Sequence, residues 1–412
     1  MDKIAICGVN CITDIESKEY KTNQTIVIDG GIIQSIQPAD SIVPNVKKTY
    51  CFDNLWAIPG FVDMHVHITM SPFLRDTDFL YKPNDILELT YQNLRELNNI
   101  GVTLCRDMGS YSYSAEWVKY ILREQKNIPN ILTCGKVLTY KDGHMHEYGY
   151  PILCNDDIQE AIEENYLSGA NFIKIASDPY DCEAMGRNPN PAFSAEFIDL
   201  IVKCARKRNM TVACHTYPSV QGVARALQSG VKTIEHAVPL IDSMGHLSFP
   251  NTFFAPTFTT VVDVCGISSV KKKYMEFDDL YKQIQKLNKY RLYSDVVPES
   301  LKECLDILLD RVPIAISKEE LICAGTDAGC KGTHFSSLLK ELLFYKILGA
   351  SNWQVLQYAI SNPYKALGIN NRGKLKEGNI ADIIILENNP IDNLLTILRN
   401  VAVITRGTVE IK

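Results

Sequence analysis

The sequence predicts an α/β fold: a (β/α)8 TIM-type barrel carrying a small β-sandwich domain built from both termini. Three observations predict it. Short apolar runs alternate with helix-patterned segments through the long middle of the chain, the order expected of a closed parallel barrel. Both ends are instead rich in strand-like runs separated by turn signals. The length, 412 residues, suits a barrel of about 250–300 residues with a satellite domain.

The terminal domain is expected over 1–56 and 367–412. Thr25 to Ile33 holds two β-branched runs around Asp29-Gly30-Gly31, a hairpin signal. At the other end, Ile380 to Leu386 and Val401 to Ile404 read as strands, with a turn at Arg406-Gly407. The barrel is expected over 57–366. Its strand-like runs are 57–65, 101–107, 131–135, 171–176, 211–215, 231–236, 253–257 and 321–327. Helical patterns fall between them, at 85–99, 194–208, 220–229 and 335–348 among others, with Ser194 placed to cap the second of these. The charged segment 266–313 is longer than one barrel helix needs and reads as a helical insertion near the active-site face.

Composition narrows the function classes. The net charge is −6 and no basic tract or stripe occurs, so nucleic acid is not an expected partner. The first residues lack a charged segment followed by a long apolar run, and no stretch reaches the roughly 18 apolar residues of a membrane span. A cytoplasmic protein is expected. Thirteen cysteines, an odd number scattered without a CxxC pair, fit reduced thiols better than a disulfide framework.

In such barrels chemistry sits at the carboxyl ends of the strands. The first strand ends in His65-Val66-His67. Residues two apart on a strand point the same way, so both imidazoles can serve as metal ligands. Taken alone, the pair could equally be two ordinary histidines. On the fourth strand, Lys174 interrupts the apolar run Phe172 to Ala176. A buried amine loses its charge unless it is paired. The neutral form reacts with carbon dioxide to give a carbamate, an oxygen ligand. The competing reading is an ammonium that meets an acidic partner. The fifth, sixth and eighth strands end in His215, His236 and Asp327. One such ending means little. Metal-capable side chains at five strand ends are hard to attribute to core packing, and together they read as a metal site.

This set of residues resembles the binuclear amidohydrolase superfamily: HxH on the first strand, Lys on the fourth, His on the fifth and sixth, Asp on the eighth. Pro59 to Asp63, Gly325 to Gly329 and Gly373 to Asp382 are similar to its imidazolonepropionase-like and Xaa-Arg/Lys dipeptidase subgroup. The resemblance covers nearly the whole chain. It implies two divalent metal ions, with His65, His67 and Asp327 on one, His215 and His236 on the other, and a carbamate on Lys174 bridging them. Zinc suits these ligands; manganese or cobalt also fit. It further implies that Asp327 handles the proton of the attacking water and that a histidine in the loop after the third strand contacts the substrate carbonyl. His144 matches that position, with His146 as its rival. Tyr217 matches a substrate-binding position, and His334 could line the pocket rim. After the fourth strand, Asp178, Asp181 and Glu183 stand where the subgroup has a glycine-rich turn.

The expected activity is hydrolysis of a C–N bond in a small molecule such as a dipeptide or N-acyl amino acid. The acidic loop points to substrates ending in Arg or Lys. The alternatives are a cyclic amide hydrolase or a deaminase-like enzyme, and, from another class, an inactive scaffold. Mononuclear deaminases usually lack the lysine, and inactive relatives lose ligands that this chain keeps. The resemblance also implies a homo-oligomer.

Overall fold

The computed structural model of the chain describes residues 2–73, 82–141, 143–177, 193–216, 220–237, 241–242, 245–246, 251–274, 276–287, 297, 299–319, 321–330 and 332–412. The run 57–65, expected as one strand, is divided between two sheets. Trp56–Pro59 pairs with Ile4–Asp14 and Ile383–Leu386 and so belongs to the terminal sheet. Phe61–Val66 pairs in parallel with Val102–Asp107 and opens the barrel. The crossing point is Gly60. Its N–H donates to the Asp382 carbonyl at 3.0 Å, and the next N–H, from Phe61, donates to the Gly101 carbonyl at 3.0 Å. A side chain at Gly60 would overlap Thr103, so the close approach of the two sheets requires glycine.

The terminal domain is one eight-stranded hydrogen-bonded sheet. Its path runs Thr408–Ile411, Asn400–Thr405, Ile383–Leu386, Trp56–Pro59, Ile4–Asp14, Glu19–Asp29, Ile32–Pro38, with Lys48–Cys51 added to Ile4–Asp14. The Asp-Gly-Gly hairpin forms, with Asp29 opposite Ile32. Strands from both ends of the path share a core that includes Ile6, Ile26, Ile28, Ile33, Ile383, Ile385 and Ile404. This explains why neither terminus reads as a domain by itself.

The barrel continues from Val102–Asp107 to Asn130–Leu132. A six-stranded sheet follows, containing Val137–Thr139, Ile173–Ala176, Val212–His215, Thr233–Glu235 and Phe253–Ala255 in parallel. The two sheets join where the Asn171 N–H donates to the Thr133 carbonyl at 2.7 Å. Residues 322–328 close the ring through bridges from Ile322 to Phe254 and from Ala328 to Val66. Strand alternation then sorts the side chains. Ile173, Ile175, Val212, Cys214 and Ile234 pack outward against Ile198, Ile201 and Val202 of helix Ala195–Arg206 and against Val223 and Leu227 of helix Val220–Gln228. The intervening residues, including Lys174, His215 and Glu235, are turned the other way.

The expected helices form close to their predicted bounds, among them Pro83–Asn99, Ala195–Arg206 and Leu338–Ile347. Ser194 caps the second, its hydroxyl accepting from the Phe197 N–H at 3.2 Å. The segment 266–313 is helical over Ser268–Lys273, Asp278–Leu287 and Glu299–Ser317. Its Leu305, Leu308 and Val312 join Val261 and Val262 in the main core. Among the described residues no disulfide forms, and no helix is long and apolar enough to cross a membrane.

Gly60→Ala tests the crossing. Overpacking against Thr103 should lower folding stability by about 1–3 kcal/mol, read as a lower urea midpoint. A variant as stable as the parent chain would contradict this account of the junction.

Candidate metal centre

Three imidazoles and one carboxylate converge at the ends of the first, sixth and eighth barrel strands. Asp327 Oδ1 is the hub: it lies 3.2 Å from His65 Nε2 and 3.2 Å from His67 Nε2. The ligand atoms of His65, His236 and Asp327 all fall within 4.8 Å of one another, as do those of His67, Asp327 and Cys330. The ring of His236 sits 4.7 Å from His65 and 4.3 Å from His215.

The other ring nitrogen of each histidine settles its tautomer. His65 Nδ1 is 2.9 Å from Glu235 Oε2, and His67 Nδ1 is 2.9 Å from the Gly109 carbonyl oxygen. A carbonyl or an ionised carboxylate only accepts, so each Nδ1 carries the proton and each Nε2 presents a lone pair. His236 Nδ1 is 2.8 Å from Thr257 Oγ1, whose hydroxyl donates to the Pro256 carbonyl at 2.8 Å. That hydroxyl oxygen is therefore the acceptor for His236. The consequence is electrostatic. Lone pairs of His65 and His67 face a carboxylate oxygen at 3.2 Å, acceptor against acceptor. Such an arrangement is favourable only with positive charge between the groups. The donor set, imidazole nitrogens with a carboxylate, fits a divalent metal ion.

Burial would lower the His67 pKa, but the Asp327 carboxylate outweighs it and raises the value, drawing positive charge into the gap between them. Burial pushes the His215 and His236 pKa values well below the ordinary range, and neighbouring positive groups push the same way. Neutral imidazole is the ligating form. Burial alone would raise Asp327, but positive charge on the His65 and His67 side of its carboxylate outweighs burial and holds it well below the ordinary range; with neutral rings, an ion would supply that charge.

Lys174 is fully buried, and its Nζ has no hydrogen-bond partner among the described residues. Burial lowers its pKa. The ion-pair alternative meets an obstacle at Glu235. The acid with the largest influence on Lys174 is Glu235, and both of its oxygens are engaged elsewhere. Oε1 accepts from Arg106 Nη2 at 2.7 Å and from the Thr233 hydroxyl at 2.5 Å, while Oε2 meets His65. Burial would raise Glu235, but the Arg106 guanidinium holds its carboxyl far below the usual range.

His144 stacks on His215, ring centroids 4.1 Å apart and planes inclined by 26°. Burial is the main cause that pushes its pKa down to about 4. His146 Nδ1 instead turns back to the Gly143 carbonyl at 3.1 Å. His334 packs edge-on against Phe73, ring centroids 4.9 Å apart. Tyr217, Asp178, Asp181 and Glu183 lie outside the described residues.

A model of the Amidohydrolase family matches residues 56–409. The chain belongs to this family. It is 21% identical to an uncharacterised Mycobacterium tuberculosis protein over 253 residues, 61% of each chain. It thus spans about three fifths of that relative's length. It is 20% identical over 391 residues to the 5'-deoxyadenosine deaminase of Methanococcus maripaludis, covering 88% of this chain and 82% of that one. The crystal structure of a Xaa-Pro dipeptidase with methionine bound in its active site superposes with a TM-score of 0.79 at 22% identity, covering 100% of both chains. That likeness shows that this family member shares the dipeptidase's fold.

The sequence reading of this amidohydrolase passed over the groups that orient the ligands. Glu235 and Arg106 are charged residues inside apolar strands, the same signal that drew attention to Lys174. Thr257 left no such signal. Its importance comes from its hydroxyl and from a backbone φ of +47°, rare for a β-branched residue. His236 and Asp327 are also left-handed, each at φ +63°. Buried Glu341 holds the segment after Thr257, accepting from the Phe258 N–H at 3.1 Å and the Thr259 N–H at 2.7 Å.

Thr257→Val keeps the branched shape and removes the acceptor for His236. Divalent metal affinity measured by calorimetric titration should fall about 10–100-fold, the usual cost of losing an outer partner of a ligating histidine. Unchanged affinity would mean that His236 is not a ligand or needs no orientation.

Proposed function

We propose that the chain is a metal-dependent hydrolase that cleaves the C–N bond of a small substrate, such as a dipeptide or N-acyl amino acid. The observation that carries this reading is the convergence of His65, His67, His236 and Asp327 in a barrel that also buries Lys174, whose Nζ has no hydrogen-bond partner among the described residues. In this reading Lys174 takes up carbon dioxide. Its nitrogen would bond to the carbon, one proton would leave to solvent, and the new carboxylate would help to hold two divalent ions, zinc among the candidates. His65, His67 and Asp327 would hold one ion, and His215 and His236 the other. Divalent ions there supply Lewis acidity, lowering the pKa of water and polarising a carbonyl.

The residues perform the remaining work. Asp327 is ionised, so it can take a proton from the attacking water and return it to the leaving nitrogen. His144 is neutral near pH 7, given its pKa of about 4. It can therefore donate an N–H to the carbonyl oxygen as negative charge develops there. The products are a carboxylate and an amine. A dipeptidase of the same fold supports the peptide reading, while the deaminase relative keeps hydrolysis at a ring carbon as the alternative. Lys174 favours the former, since mononuclear deaminases usually lack it. Preference for substrates ending in Arg or Lys rests on the acidic residues Asp178, Asp181 and Glu183 that follow the fourth strand in the sequence.

Two variants separate the roles. Lys174→Ala should lose metal and activity together, with partial rescue by a short carboxylate such as propionate. His144→Asn should keep its metal content and lose roughly 100-fold or more in kcat, by analogy with removal of one oxyanion donor. Both are assayed on matched dipeptides ending in Arg, Leu and Glu, N-acyl amino acids and adenosine analogues. A Lys174→Ala enzyme with full metal and full turnover would overturn the carbamate. Turnover of the adenosine analogues alone would overturn the peptide reading.

A further inference from the structure

Asp63 is wholly buried, two residues before His65 and on the same side of its strand, and has no part in the ligand set described above. Its carboxyl joins the first barrel strand to the segment that closes the ring. Oδ1 accepts from the His65 N–H at 3.2 Å and from the Thr326 N–H at 3.1 Å. Oδ2 meets the Thr326 hydroxyl at 2.7 Å, and that hydroxyl oxygen accepts from the Ala328 N–H at 3.1 Å. One carboxyl oxygen is thus shared by the backbone of a histidine ligand and by the residue before Asp327. Burial pushes the Asp63 pKa up to about 7, against the hydrogen bonds it accepts. Oδ1 accepts from both N–H groups with or without a proton on Oδ2, so the clamp holds in either state.

A side chain is needed at this junction because the backbone there is irregular. Asp327 is left-handed at φ +63°, so a regular ladder cannot run through it. Buried N–H groups beside such a residue must find acceptors outside the ladder. The two segments also lie very close: a side chain at Gly325 would press on His65 Cβ. Asp63 therefore acts where a small slip between the segments would change the 3.2 Å separation of His65 Nε2 and Asp327 Oδ1. We propose that Asp63 is a positioning residue for the metal centre: by holding the His65 and Thr326 backbones on one oxygen, it sets the spacing of the His65 and Asp327 ligand atoms around a divalent ion. This rests on the metal-centre reading above and adds to it the group that fixes the ligands' main chain, where Glu235 and Thr257 fix only their rings.

The test uses the full chain stripped with a chelator, at a temperature where circular dichroism shows each variant folded. Zn2+ affinity is read by competition titration, and the visible d–d bands of added Co2+ report ligand geometry. Asp63→Ala should bind Zn2+ at least about tenfold more weakly, as when an outer partner of a ligand is lost, and its cobalt bands should shift in position or intensity. Asp63→Asn keeps an oxygen for both N–H groups and should recover most of the lost affinity. A residue that merely closes the barrel would lower the melting temperature of the stripped chain and leave the parent's Zn2+ affinity and cobalt spectrum intact. That result overturns the proposal and leaves the metal centre standing. So does an asparagine variant as weak as the alanine one. Should Asp63→Ala fail to fold, Thr326→Val decides. It removes the hydroxyl that meets Oδ2, so affinity should fall and the cobalt bands should shift; parent values for both overturn the proposal. If the parent chain takes up neither Zn2+ nor Co2+, the metal centre and the proposal fall together.

Discussion

The rest of the site depends on one constraint: Nε2 lone pairs of two buried histidines are aimed at a carboxylate oxygen. His65 and His67 cannot rotate away, because Glu235 and the Gly109 carbonyl hold their Nδ1 protons. Asp327 cannot swing away freely either, because its backbone N–H donates to the His65 carbonyl at 2.8 Å. The left-handed backbone at His236, Thr257 and Asp327 carries a cost of order 1–3 kcal/mol each, and it persists because the barrel around it is closed. A polypeptide that holds acceptors face to face in this way is organised for an ion.

The same network accounts for Lys174. In a barrel interior a carboxylate next to a lysine would normally become its counter-ion. Glu235 does not, because Arg106 has taken that role. The guanidinium is locked in turn by the Met64 carbonyl at 2.7 Å and the Thr233 hydroxyl at 3.0 Å. A buried pair of this kind stabilises little by itself, since desolvation offsets most of the attraction. Its effect is on its neighbours: it fixes the His65 tautomer and leaves Lys174, whose pKa burial lowers, without that carboxylate as a hydrogen-bond partner. Arg106 therefore sets the chemistry of two residues it does not touch in sequence.

Much of this was legible in the sequence because barrel chemistry lies at strand ends. His65, His67, Lys174, His215, His236 and Asp327 each end or interrupt an apolar run, and the run marks the strand. The hairpin at Asp29 was legible because Gly-Gly turns are local. Other features were hidden because they are pairwise and distant. Nothing near residue 60 announces that one apolar run feeds two sheets; that follows from the contact with Thr103. Arg106 and Glu235 are far apart in the chain, and neither spacing nor composition links them. Thr257 looks like any threonine until its left-handed backbone aims the hydroxyl at His236.

The most direct measurement is the divalent metal content of the purified chain by plasma emission spectrometry, before and after exhaustive chelation, with thermal unfolding followed in both states. A binding site of opposed acceptors predicts at least about one equivalent of divalent metal per chain, and a melting temperature that falls on chelation and returns when Zn2+ is added back. A chain purified without divalent metal, taking up none on titration and melting at the same temperature with and without chelator, would contradict the account at its centre.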